Sequence, residues 1–125
     1  MKSDKFSLKT RFESFKYAFH GLWLLLKNEH NTRIHFLAAI VGLAMGLILK
    51  IDLHEWCLLV IVIGLVFLTE LLNTSLETLA DVVDPEWNKR IRKAKNYAAA
   101  AVLISAIVSV IVGGLIFIPR LLDLI

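Results

Sequence analysis

The chain has 125 residues, 58% of them hydrophobic, and carries 14 Lys and Arg against 11 Asp and Glu for a formal net charge of +3. With a mean hydropathy of +0.70, it exceeds the apolar share of a soluble domain and reads as a single membrane domain over residues 1–125. The basic excess sits at the ends of apolar segments, where it signals topology; no nucleic-acid partner is read from it.

Residues 5–28 are expected to form an amphipathic helix. Phe12, Phe15, Phe19, Leu22 and Leu26 recur at three- and four-residue intervals with Trp23 beside them, while Lys9, Glu13, Lys16, His20 and Lys27 keep the same rhythm on another face. Such a helix suits the headgroup plane with its apolar side down. The plainer alternative is a helix that packs on a bundle. No cleavable signal or transit peptide is expected, because the amino terminus opens with charged residues and includes Asp4 and Glu13. Asn28 to Asn31 turns the chain toward the membrane.

Three transmembrane helices follow, at 32–50, 55–83 and 96–118. Ile34 to Leu49 and Tyr97 to Pro119 contain no Lys, Arg, Asp or Glu, and Trp56 to Ala80 is broken only by Glu70 and Glu77. The first span is short and borrows a turn from Asn31 to Arg33. Gly42 and Gly46 form a G-x-x-x-G pair, and Ala98 to Ala101 a run of small side chains; both are read as packing surfaces. Asp84-Pro85 marks a helix break, followed by a short charged loop to Lys95. Cys57, the single cysteine, is read as a small packing residue. Lysines and arginines before the first span and between Lys89 and Lys95 place the amino terminus and the second connection in the cytoplasm.

The second span carries Glu70, Asn73, Thr74, Glu77 and Asp81 within roughly 100° of helical arc. An ionised carboxylate at the centre of a membrane helix costs about 2.5–3.5 kcal/mol, so the stripe calls for a purpose. A carboxylate removed from water suits a general base, and two of them suit a divalent cation with phosphates nearby. An ion pathway and a structural polar network remain open on the spacing alone. Neither a G-x-x-x-x-G-K-S/T loop nor a G-x-G-x-x-G turn occurs. His20, His30, His35 and His54 lack zinc spacing, and His30 and His35 are read as interfacial polar residues.

The stretch Glu70-Leu71-Leu72-Asn73-Thr74-Ser75-Leu76-Glu77, then Asp81, then Ala94-Lys95-Asn96-Tyr97 before the alanine run resembles the signature of the small bacterial integral-membrane diacylglycerol kinases, a family that includes the undecaprenol kinases. A Glu-x-x-Asn-Ser/Thr-x-x-Glu motif inside an apolar span, with a lysine about 18 positions after the second glutamate, is specific to it. The resemblance covers nearly the whole chain, extending to Tyr17, Gly21 and Asn28-Glu29.

That resemblance implies an all-α membrane protein with an amphipathic surface helix and three spans, assembled as a homotrimer in the bacterial inner membrane with composite active sites on the cytoplasmic side. It implies transfer of the γ-phosphoryl group of ATP to a membrane lipid alcohol with Mg2+. By matching position, Glu70 is the base that meets the lipid, with Ala99 also at the lipid, and Asn73 orients the reacting groups. Glu29 and Glu77 hold the metal, and Tyr17, Glu29, Glu77, Glu86, Asn88, Lys95 and Asn96 line the nucleotide. Asn96 departs from the family's usual aspartate and loses a charge there. The Glu-Leu-Leu-Asn-Thr form and the ending Phe117-Ile118-Pro119 look more like the undecaprenol-kinase branch than one making phosphatidic acid from diacylglycerol. A non-enzymatic subunit with a carboxylate pathway is the competing class; Glu29 and Lys95 argue against it, since conduction needs neither.

Overall fold

The computed structural model describes residues 6–83 and 88–125 and arranges them as four helices, α1 Leu8–Asn28, α2 His30–Leu49, α3 Leu53–Val83 and α4 Lys89–Asp123, with no strand among the described residues. Three of them, α2, α3 and α4, are long and apolar enough to cross a membrane. Long-range contacts concentrate between α3 and α4, which run antiparallel, and α2 lies against α3.

Local chemistry explains where the helices stop and start. At the end of α2, Lys50 takes the left-handed conformation (φ 53°, ψ 55°) and its N–H bonds back to the Gly46 carbonyl. This conformation costs a non-glycine residue roughly 1–2 kcal/mol. It turns the chain sharply enough to bury Ile51, and α3 then begins on a reciprocal cap. The Glu55 N–H donates to Asp52 Oδ1 at 2.9 Å, and the Asp52 N–H to Glu55 Oε1 at 3.2 Å.

The third span reaches further back than its sequence implied. The segment from Lys89 to Lys95, expected as a loop, is helical, because Asn88 Oδ1 accepts the Arg90 N–H at 2.9 Å and caps α4. Likewise α2 opens at His30, which supplies the extra turn that the short first span needed. Residue 5 at the expected start of the surface helix, and the Asp84-Pro85 break, lie outside the described residues.

The bundle is divided along its length. Toward the Arg120 end, Ile51, Leu59, Ile116 and Phe117 form an apolar core, with Met45, Leu49, Trp56, Ile63 and Val112 packed around it. Arg120 locks that end. Its Nε donates to Glu55 Oε2 at 3.2 Å, its Nη2 to Glu55 Oε1, and Asp52 Oδ2 stands 3.8 Å away. Toward the other end Thr32, Glu70 and Ser105 bring polar side chains into the interior alongside Leu25 and Ala80. Thr69 and Ser105 join α3 to α4 through a 2.8 Å hydroxyl pair.

Helix α1 meets the bundle only by its last turns, where Leu25 is its single buried residue. Arg33 of α2 donates to the carbonyls of Leu26, at 2.9 Å, and Lys27, tying off the end of α1. Phe12, Phe15, Phe19 and Trp23 stay exposed. Within this one chain the other helices leave that apolar stripe uncovered. Lys27 Nζ lies 4.7 Å from the Trp23 ring centroid, a cation–π contact.

Of the glycines, Gly46 has the tightest surroundings. A Cβ there would stand 2.8 Å from Trp56 Cη2 and 3.1 Å from Ile51 Cδ1, whereas one on Gly42 would meet only Leu59 Cδ1 at 3.7 Å. Gly46→Ala should therefore destabilise the protein by about 1–3 kcal/mol through overpacking, and Gly42→Ala should change it far less. Unfolding in mixed micelles by tryptophan fluorescence measures both; equal effects would mean that the Gly46–Trp56 contact is not tight.

Candidate active site

Glu70 is the centre of the polar half. It is 5% exposed, and removing a charge from water is costly unless partners replace the lost solvation. Two do so, both from α2. Thr32 Oγ1 donates to Glu70 Oε2 at 2.7 Å, and His35 Nε2 lies 3.3 Å from Glu70 Oε1. Thr32 and His35 are three residues apart on α2 and therefore face the same way. Phe36 packs edge-on against Phe67 one turn further, with ring centroids 6.4 Å apart, and helps hold the two helices in register.

The rest of the stripe is divided among neighbours. Asn73 Nδ2 donates to Glu77 Oε1 at 3.4 Å, and Asn73 Oδ1 is buried without a partner. Asp81 pairs with Lys95 across α3 and α4, with Oδ1 and Nζ 2.7 Å apart. Thr74, at one edge of the stripe, lines an open groove of about 620 Å³ between α1 and α3. Glu29, at the α1–α2 junction, lines that same groove with Gly21, Ser75 and Thr78. Glu77 is not among its lining residues.

Depth follows from helix geometry. At about 1.5 Å per residue from Leu53, Glu70 lies roughly 25 Å along α3 and Glu77 and Asp81 roughly 36 and 42 Å. A hydrocarbon core of about 30 Å that begins at Leu53 thus ends between the two glutamates. On that placement Glu70 stands at one edge of the apolar layer, and Glu77, Asp81 and Lys95 lie beyond it.

Other residues singled out from the sequence are placed as follows. Tyr17 is exposed on α1, and Asn96 and Ala99 are exposed on α4. Asn88 serves as the cap of α4. Glu86 lies outside the described residues. Among the described residues no three of His, Cys, Asp or Glu converge as a closed metal cage. Oxygen donors suited to a hard cation are nonetheless present at Glu77 and at the unpartnered Asn73 Oδ1.

Three residues gained roles that sequence alone did not assign. Thr32 and His35 became partners of Glu70, and Asp81 became the counter-ion of Lys95. The only available signal for the first pair was two polar side chains at i, i+3 spacing at the mouth of an apolar span. For Asp81 it was the helical rhythm that continues the stripe to the membrane exit.

Fold and site together define an integral-membrane protein with one buried carboxylate, Glu70, among the described residues. A family model for prokaryotic diacylglycerol kinase matches residues 16–117. An undecaprenol kinase of Bacillus subtilis strain 168 is 35% identical over 120 residues, covering 96% of this chain and 98% of that protein. A diacylglycerol kinase of Escherichia coli K12 is 32% identical over 95 residues, covering 76% of this chain and 78% of that protein. A diacylglycerol kinase of Synechocystis is 36% identical over 112 residues, and the match spans 64% of its length. The chain belongs to the prokaryotic diacylglycerol kinase family and is a membrane lipid kinase.

Proposed function

We propose that the protein transfers the γ-phosphoryl group of ATP to the hydroxyl of a membrane lipid, with undecaprenol favoured over diacylglycerol. The observation that carries the reaction is the buried carboxylate of Glu70, held by Thr32 and His35 on the α3 face that also carries Asn73 and Glu77. In the step proposed, the lipid oxygen bonds the γ-phosphorus, the bridging bond from that phosphorus to ADP breaks, and the hydroxyl proton passes to Glu70. Asn73 orients the reacting groups. Lys95 stabilises phosphate charge, and Asp81 keeps that cation at the α3–α4 exit until nucleotide arrives.

Magnesium fits the donors. It takes one or two carboxylates and leaves its other positions to phosphate oxygens and water, so Glu77 and Glu29 would hold it without a closed cage. Bound there, it would neutralise charge on the transferring phosphates. Tyr17, Glu86, Asn88 and Asn96 are assigned to the nucleotide and Ala99 to the lipid by family position. A three-span chain encloses little volume, which supports a site completed by a second subunit, as in a homotrimer. The basic residues around α1 and Lys89 to Lys95 support a cytoplasmic location for this end in the bacterial inner membrane.

The preference for undecaprenol rests on the motif form and on the near full-length match to the Bacillus subtilis undecaprenol kinase. Purified protein given radiolabelled ATP, Mg2+ and each lipid in parallel should label undecaprenol faster; faster labelling of diacylglycerol would reverse the preference, and no label on either would refute the kinase assignment. Glu70→Gln should abolish turnover while the oligomer stays intact. Asn96 raises a separate expectation. Because Asp81 already balances Lys95, Asn96→Asp should raise turnover only modestly, through the nucleotide; initial rates against ATP concentration measure it, and a loss of turnover would contradict this placement.

A further inference from the structure

We infer that Thr32 and His35 are positioning residues for Glu70, and that they leave Oε1, on the His35 side, as the oxygen that receives the lipid hydroxyl proton. The inference rests on Glu70 being the base. Helix hydroxyls ordinarily turn back on their own helix. Thr78 does so to the Thr74 carbonyl at 2.7 Å, and Ser14 to the Thr10 carbonyl at 3.0 Å. Thr32 instead donates across to another helix, at 2.7 Å, and is 0% exposed. No solvent can substitute for it, so Oε2 is occupied as long as α2 and α3 stay packed.

The two carboxylate oxygens are thereby made unequal. Oε2 is sealed under a buried hydroxyl. Oε1 meets a ring whose side chain is 25% exposed and which lines an apolar groove of about 500 Å³ between α2, α3 and α4. A carboxylate oxygen keeps a second lone pair after accepting one partner, so Oε1 can take the alcohol proton while His35 remains in place. Both partners sit in the first two turns of α2, where unpaired backbone N–H groups favour a neighbouring negative charge. The effect is a base with a fixed plane and a single open oxygen, which is the positional control that phosphoryl transfer demands.

The test is steady-state kinetics on the full chain in lipid nanodiscs, with Thr32→Val, Thr32→Ser, His35→Leu and His35→Gln compared with the parent. Thr32→Val and His35→Leu remove the polar partner at nearly constant volume, and each should lower kcat by about 10²-fold with KM for ATP little changed. Thr32→Ser and His35→Gln keep a donor and should recover most of the rate. Parent-like kcat in both Thr32→Val and His35→Leu would overturn the inference, as would Ser and Gln variants as slow as Val and Leu. Where Thr32→Val does not fold, the Gln-against-Leu comparison at His35 decides. Glu70→Gln run beside them separates the two claims: if it retains turnover the base assignment fails, and if it alone is inactive only the positioning claim fails.

Discussion

The burial of one carboxylate organises this molecule. Glu70 sits in a helix otherwise rich in aliphatic side chains, and it can remain there only because α2 brings Thr32 and His35 to it. That demand sets the register of α2 against α3. Register in turn places Gly46 beside Trp56 at the other end of α2, where nothing larger than hydrogen fits without a shift. A polar requirement at one end and a steric one at the other leave α2 little freedom to slide.

The first two turns of α2 join several tasks. Glu29 precedes them at the junction, Arg33 ties off α1 through the Leu26 and Lys27 carbonyls, and Thr32 and His35 point inward between those outward contacts. Helix α1 is thus coupled to the interior carboxylate through less than three turns of chain. The α3–α4 pair is clasped separately, by Arg120 with Glu55 and Asp52 at one end and by Lys95 with Asp81 at the other. The clasp at Lys95 is exposed and open to competition from phosphate, whereas the one at Arg120 closes over an apolar core.

Much of this was legible in the chain because bilayer physics is restrictive. Apolar runs of spanning length have few alternatives to helix, and a five-residue polar stripe at helical spacing identifies itself. The motif from Glu70 to Glu77 with Lys95 gave the family before any geometry. What stayed hidden was partnership between segments distant in sequence. Nothing in the spacing of Thr32 and His35 reveals that they meet Glu70, since polar residues at the mouth of a span are ordinary. The helical state of Lys89 to Lys95 was hidden for a different reason: a dense run of positive charge resembles a loop until a cap such as Asn88 is seen to start a helix there.

The central claim is that Glu70 is tolerated in the interior through its partners on α2, and a double-mutant cycle on Thr32 and Glu70 tests it most directly. The unfolding free energies of Thr32→Val, Glu70→Leu and the double variant would be measured in mixed micelles. Removing one partner of a buried charged hydrogen bond leaves the other uncompensated, while removing both leaves an apolar contact. The double variant should therefore cost less than the sum of the singles by about 1–3 kcal/mol. Additive effects would mean that Thr32 and Glu70 do not depend on each other, and the account would fail at its centre.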